Sequence, residues 1–450
     1  MLSQEVMYFI HLFYFAVYNN VMDFLEHLKE SMPIDEANKL IEALDGEDFH
    51  AVLLNDNRIS DEDFLREFPH VQPHPYVKHA YIYDKNEYPL GKHLYHELGY
   101  YYLQEPSAMI VSSLINFDED DFVLDLCAAP GGKTIQASLK MNGKGLILSN
   151  DLSESRAKLI SNNAERLGLT NIIITSNDFS KIYQSFKDSF DKIILDAPCS
   201  GSGMFRKHSL MKEDWSINKV LKFSEIQKEL ISYAYSMLKP GGLLSYSTCS
   251  YSKEEDEDVI EYLLSNSDAE LDNINLKDGY INELKPIGIR LMPSHFSGEG
   301  QYICQIRKPG QSKPTKFENT CRFSSLLINR YKNFDVKKYG DSLFSVSNNY
   351  PNKNLWVIRH GVKVGTESKG IFKYDLHYAR TLSTNDEFPI IELNIDEVKS
   401  YIEGNQLNKE NKNKGYVLLT YHSNPVDIAK TDGRVIKNYY PKGLRKKVII

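Results

Sequence analysis

The sequence predicts an α/β protein organised around a mostly parallel β-sheet with helices on both faces. Three observations carry that reading. From Phe122 onward, short apolar runs alternate with amphipathic helical stretches, the order that builds parallel strands. Glycine turns, carboxylates and cysteines fall at the carboxyl ends of those runs, where such sheets bind ligands. The flanks lack the alternation, so smaller units are expected on either side. At 450 residues the chain has room for two to four domains.

The elements follow in chain order. Met7 to Tyr18 is a dozen mostly apolar residues, too few to span a bilayer and without the basic region of a signal peptide. It reads either as a buried or frayed helix or, with residues 1–21, as a mis-called leader before a start at Val21 or Met22. Phe24, Leu25, Leu28 and Met32, then Ala37, Leu40, Ile41 and Leu44, have helical spacing and predict two helices. Pro69, Pro73, Pro75 and Pro89 interrupt the next stretch, so 22–100 is expected to be a small N-terminal α+β domain. The core spans 101–308. Its expected strands are Phe122–Leu126, Gly145–Ser149, Asn171–Thr175, Lys192–Leu195 and Gly242–Ser247, with helices at Ser153–Leu167 and Phe223–Leu238 between them. After Lys308 a linker-like PGQSKPTK opens a linking region, 309–378, which contains a short β-like run, Leu355–Val357. The last unit, 379–450, contains the β-like run Gly415–Thr420 and ends in a basic segment.

Composition bounds the function. Hydrophobic residues are 42% and charged residues 25%, ordinary for a globular protein. The net charge of -8 means that any nucleic-acid surface must be a local basic patch. Candidates are Arg206 and Lys207 and the segment Lys442 to Lys447. The five cysteines are odd in number and none has C-x-x-C spacing, which argues against a disulfide framework or a zinc site. Free thiols point to a reducing compartment and so to the cytoplasm.

The first core run leads into LDLCAAPGGKT, Leu124 to Thr134. Glycines here let backbone approach a ligand, and the following helix offers free N–H groups. The segment ends like a phosphate-binding P-loop, but Cys127 stands where that motif needs its first glycine. A P-loop hydrolase is therefore disfavoured. The second run ends at Asp151, about 20 residues past the glycines, where a carboxylate binds ribose hydroxyls or simply caps a helix. The third ends at Asp178, placed to meet an adenine amine or to serve as a turn residue. The fourth ends in LDAPCSGSG with Asp196 and Cys199, and the fifth in YSTCS with Cys249. A thiolate in such a loop can act as a nucleophile. Cys304 and Cys321 read as buried small hydrophobes. The acidic run Glu254 to Asp258 reads as favourable charge at a helix N-terminus.

Taken together, LDLCAAPGGKT, Asp151, Asp178, LDAPCSGSG and YSTCS occur in the order and spacing of the RNA 5-methylcytosine methyltransferases, the Fmu/Sun (NOL/NOP/SUN) family, which this sequence resembles from Tyr100 to Lys308. Gln104 to Met109 adds a further signature. Ile358-Arg359-His360-Gly361 and Lys437 to Arg445 resemble the tail of the RsmF (YebU-like) bacterial branch. Leu53 to Arg58 departs from the Arg-x-Asn strand usual in the family. The resemblance implies a Rossmann-like S-adenosylmethionine-dependent methyltransferase core and a C-terminal PUA-like RNA-binding domain. It also implies methylation of cytosine carbon 5 in RNA, 16S ribosomal RNA in that branch. The extra C-terminal module points to a monomer, and no membrane partner is expected.

A thiolate adding to carbon 6 makes carbon 5 nucleophilic enough to take the methyl group. The chemistry alone leaves open which cysteine attacks. By resemblance, Cys249 is the nucleophile, Cys199 assists product release, and Asp196 holds the cytosine N3 and exocyclic amine. Cofactor binding would fall to Cys127, Ala128, Ala129, Pro130, Gly131, Gly132 and Lys133, with Asp151, Arg156, Asp178 and Asp196; no metal is expected. The rival readings are a cytosine methyltransferase for transfer RNA or DNA, and a non-catalytic ribosome assembly factor.

Overall fold

A sheet buried on both faces needs strands that are apolar throughout, and the central strands here have that character. The computed structural model describes residues 24–207, 209–313, 336–345, 354–382 and 388–450. The parallel strands β1 (Phe122–Asp125), β2 (Leu146–Asn150) and β3 (Ile172–Thr175) are buried at every residue. They are joined by β4 (Phe190–Asp196) and β5 (Leu238–Thr248) in the order β5-β4-β1-β2-β3, all parallel. Beyond β5 the sheet turns antiparallel through β8 (Gln301–Arg307), which also pairs with β6 (Glu270–Asp272) and β7 (Ile289–Leu291).

Helices α1 (Gly132–Lys140), α2 (Glu154–Leu167), α3 (Phe179–Ser185), α4 (Ile217–Met237) and α5 (Glu257–Asn266) fill the connections. In α2 the buried Ala157, Ile160, Ala164 and Leu167 keep the spacing of one helical face. The helix stops at Gly168, in the left-handed conformation (φ 70°), where a Cβ would lie 2.6 Å from the Arg380 carbonyl.

The far edge of the sheet comes from an unexpected place. The segment read as a linking region supplies β9 (Val357–His360), antiparallel to β3. Arg359 on β9 is buried, pairs with Glu165 of α2 at 2.7 Å and bonds Ser161 at 2.6 Å. That explains the Ile358–Gly361 motif structurally: it fastens the downstream chain to the core. Val336–Tyr339, Ser342–Ser345, Val362–Ser368 and Ile371–Tyr374 form a small antiparallel sheet beyond it.

The flanking units do not pack as separate beads. A helix at 24–31 and the helix Ile34–Ala43 bury Phe24, Leu28, Met32 and Leu40 against Phe205, Trp215, Tyr251 and Met292 of the core, beside the loops after β4 and β5. The N-terminal sheet (Gln72–Pro73, Ala80–Tyr83, His50–Leu54, Tyr101–Gln104) shares one apolar cluster with the five-stranded C-terminal sheet. Val52, Leu54 and Tyr101 of the first sheet and Phe64 of the helix Asp61–Glu67 lie in it with Val417 and Val426 of the second sheet and Val398 and Tyr401 of the helix Ile395–Ile402. The Ile449 backbone bonds Lys92 and Leu94, and Lys446 pairs with Glu97 at 2.5 Å, so the basic C-terminal segment is partly docked. No described helix is long and apolar enough to cross a membrane. Residues 1–21 and Cys321 lie outside the described residues.

Candidate active site

The carboxyl ends of β1, β2, β4 and β5 converge on one site. Beneath it, Asp125 closes β1 and accepts the Thr134 hydroxyl at 2.6 Å. Asp125 is fully buried, and burial pushes its carboxyl up to about 7, against the opposing pull of the Thr134 hydrogen bond and of Lys133. A raised carboxyl pKa means the folded protein holds a proton that the unfolded chain has released. Stability contributed by this residue therefore falls as pH rises from about 4 to about 7. Asp125→Asn is expected to be more stable than the wild type at pH 8, by on the order of 2 kcal/mol, with the gap closing toward pH 4. Thermal denaturation across that pH range checks it; a gap independent of pH would refute it.

Cys127, Ala128, Ala129, Pro130, Gly131, Gly132 and Lys133 form the turn between β1 and α1. Gly131 has φ 111° and sits at the N-cap of α1 with no side-chain cap, so the first N–H groups of the helix are open to a ligand. At Gly132 a Cβ would lie 2.7 Å from the Gln104 side chain, whose Oε1 is buried without a hydrogen-bond partner. Asp151, at the tip of β2, is 4% exposed and accepts the Ala129 N–H at 3.2 Å and the Ser153 N–H at 2.9 Å. Arg156 lies 3.5 Å from Asp151 and donates to the Ala129 carbonyl at 2.9 Å. An open helix N-terminus, a glycine cradle, an orphaned amide oxygen and a carboxylate at the second strand tip suit a cofactor with an amino-acid end and a ribose. Burial drives the Cys127 thiol well above its usual pKa, so it belongs to the wall of the cradle. Asp178 is exposed and caps α3 by accepting the Ser180 N–H at 2.9 Å.

At the next two strand tips the sulfurs of Cys199 and Cys249 are 3.2 Å apart. Asp196 stands beside them with both oxygens engaged. Lys133 Nζ donates to one at 2.7 Å, and Ser247 Oγ (2.7 Å) and Gln301 Nε2 (2.9 Å) donate to the other. Burial works against the charge on Lys133, but the carboxylates of Asp196 and Asp125 outweigh it and hold its pKa above the usual value. Gly203 donates its N–H to the Cys249 carbonyl at 2.7 Å; a Cβ at that glycine would lie 2.8 Å from the same oxygen. Only glycine lets the loop after β4 approach the loop after β5 so closely.

The acidic run after Cys249 does more than charge a helix terminus. Glu254 pairs with His27 at 3.3 Å, and Glu255 accepts from Ser200 and Ser250. Asp256 accepts the Thr248 hydroxyl at 2.6 Å, and Glu257 grips Arg290. Sequence spacing held no sign of these partners, because they come from distant segments. Arg206 is likewise committed: it donates to the carbonyls of Ala43 and Glu47 and lies 3.7 Å from Glu299. Its side chain is 4% exposed, which removes it from the candidate RNA contacts.

Three family models match the chain: the 16S rRNA methyltransferase RsmB/F over residues 112–307, the N-terminal domain of 16S rRNA methyltransferase RsmF over 22–106, and the methyltransferase RsmF PUA domain over 388–446. The ribosomal RNA small subunit methyltransferase F of Vibrio vulnificus (strain YJ016) is 31% identical over 388 residues, covering 80% of this chain and 82% of its own. That of Shewanella oneidensis is 31% identical over 435 residues, covering 89% and 91%. Among solved structures, a methyltransferase homolog protein from Pyrococcus horikoshii aligns with a TM-score of 0.55 at 28% identity, over 62% of this chain and 92% of its own. NSun6 from Pyrococcus horikoshii, crystallised with SFG, gives 0.58 at 22% identity, over 64% and 98%, and supports the fold.

Proposed function

Because this chain belongs to the RsmB/F family of 16S rRNA methyltransferases and is an S-adenosylmethionine-dependent RNA methyltransferase, we propose that it methylates carbon 5 of cytosine in 16S ribosomal RNA through a covalent cysteine–cytosine intermediate. The observation that carries this reading is the pair of sulfurs at 3.2 Å beside the Asp196–Lys133 pair.

The target base leaves any helical stack to enter the site. The Asp196 carboxylate, held in place by Lys133, accepts from the exocyclic amine and stabilises a proton at N3 as charge builds on the ring. Cys249 adds its thiolate to carbon 6, and the electron pair displaced onto carbon 5 becomes the nucleophile. The Gly131–Lys133 cradle and Asp151 would hold S-adenosylmethionine, which would supply the methyl group. A base then takes the carbon 5 proton, the electron pair left behind restores the 5,6 double bond, and the carbon 6–sulfur bond breaks to free the Cys249 thiolate. The hydrogen bond with Cys249 and burial raise the pKa of the Cys199 thiol. Cys249 as the nucleophile and Cys199 as the group assisting release follow the family's Thr-Cys pattern, with the two sulfurs close enough to serve one base in turn.

RNA grip is assigned to the C-terminal domain, where Lys442 and Lys447 stay clear of the Lys446–Glu97 pair. Free cysteines support a reducing cytoplasm as the setting, and we take the enzyme to act as a monomer on 16S RNA or the small subunit. The test is labelled S-adenosylmethionine with small-subunit RNA or subunits, followed by nucleoside analysis. 5-Methylcytidine in 16S RNA is expected. Methyl on another atom overturns the chemistry, and methyl in transfer RNA alone overturns the substrate.

A further inference from the structure

Each cysteine of the pair is followed by a serine, and one buried carboxylate holds both serines. Glu255 Oε1 accepts the Ser200 N–H at 2.7 Å and the Gln227 amide at 3.2 Å. Its Oε2 accepts the Ser200 hydroxyl at 2.5 Å and the Ser250 hydroxyl at 2.6 Å. Gln227 reaches on to the Pro198 carbonyl at 2.8 Å, the residue before Cys199. Glu255, Ser200, Ser250 and Gln227 are all essentially inaccessible to solvent.

These hydrogen-bond partners of Glu255 are neutral. An apolar plug would fill the same space at lower cost than a carboxylate whose charge burial disfavours. What the carboxylate adds is direction, since its two oxygens draw two loops from different strands onto one point. Other bonds also join these loops: the Ser200 and Ser250 hydroxyls meet at 3.3 Å, Gly203 donates to the Cys249 carbonyl, and the Tyr251 N–H donates to Ser202 Oγ at 2.9 Å. The first joins two hydroxyls that Glu255 already holds, and the other two lie beyond the Cys199 end. We propose that Glu255 is a positioning residue for the two-cysteine reaction, setting the gap between the Cys199 and Cys249 sulfurs by holding Ser200 and Ser250 together. The inference rests on the cysteine roles proposed above, because two sulfurs that serve the same base in turn must stay within one contact distance.

The test uses the full chain and phenylarsine oxide, which condenses with two neighbouring thiols to give one arsenic bridged by two sulfurs, with loss of water. Wild type is expected to bind one equivalent tightly, and Cys199→Ala or Cys249→Ala to lose that binding. In Glu255→Gln the amide oxygen still accepts the Ser200 N–H, and the serine hydroxyls reverse from donors to acceptors. This variant should keep the bridge and the turnover. Glu255→Ala should weaken arsenical binding about 100-fold, as the chelate becomes two separate contacts. Its kcat should fall about 100-fold through misplacement, with KM for S-adenosylmethionine unchanged. Iodoacetamide should still alkylate Cys249 singly. Glu255→Asp, too short to reach both serines, gives the same answer where the alanine variant does not fold. Retained arsenical binding and kcat in a folded Glu255→Ala or Glu255→Asp overturns the proposal. So does a Glu255→Gln variant as impaired as Glu255→Ala. Should the arsenical follow these expectations while Cys249→Ala still methylates RNA, the covalent mechanism falls and the positioning role stands.

Discussion

Cys249→Ala is expected to yield neither methylated RNA nor a denaturation-resistant protein–RNA adduct, whereas Cys199→Ala accumulates the adduct. Without the Cys249 sulfur no bond forms at carbon 6, carbon 5 stays unreactive, and turnover falls to background. In Cys199→Ala addition and methyl transfer proceed, but the step that frees Cys249 loses its partner 3.2 Å away. Labelled S-adenosylmethionine followed by denaturing electrophoresis separates the two products. An adduct that survives in Cys249→Ala and vanishes in Cys199→Ala would exchange the two roles.

The largest expected loss of stability lies just beneath the site, at Arg290. Its side chain is 2% exposed; it holds Glu257 through Nε and Nη2, lies 3.1 Å from Asp256 and donates through Nη1 to the Tyr251 carbonyl. Burial disfavours the charge on Arg290, but the two carboxylates outweigh it and hold its pKa above normal. Arg290→Met keeps much of the volume and leaves two acids buried face to face. Removing one partner from such a group costs about 3–5 kcal/mol. For a domain of this size that lowers the thermal midpoint by roughly 10 °C. Asp256 also accepts the Thr248 hydroxyl, so activity should fall with stability. A thermal midpoint equal to that of wild type would show that the cluster carries no such load.

The parallel core was legible because each of β1 to β3 is mostly apolar on both faces and ends in a polar residue. Boundaries slipped where glycine decided them. Gly145 was expected inside a strand, but its φ of 61° and the neighbouring Asp121 carbonyl start β2 at Leu146. The expected strand Gly242–Ser247 begins earlier, at Leu238. The β-like run Leu355–Val357 only touched the start of β9, and its pairing was not legible, because its partner β3 lies far away in sequence and an edge strand need not be apolar on both faces. Of the site, the loop glycines, Asp151, Asp196 and both cysteines could be named from motifs. Glu255 and the internal binding of Arg206 could not, since their meaning is in carbonyls and hydroxyls that only tertiary contact supplies. Asp178 could be named, but its side chain is occupied in capping α3.

The cluster shared by the N-terminal and C-terminal sheets sets an order on biosynthesis. Val52, Leu54, Phe64 and Tyr101 emerge from the ribosome early, while Val398, Val417 and Val426, which cover them, emerge only after the whole catalytic core. At about 5–20 residues per second, that interval is tens of seconds. Through it that apolar face of the first sheet stays uncovered, and it is closed only when the last sheet docks.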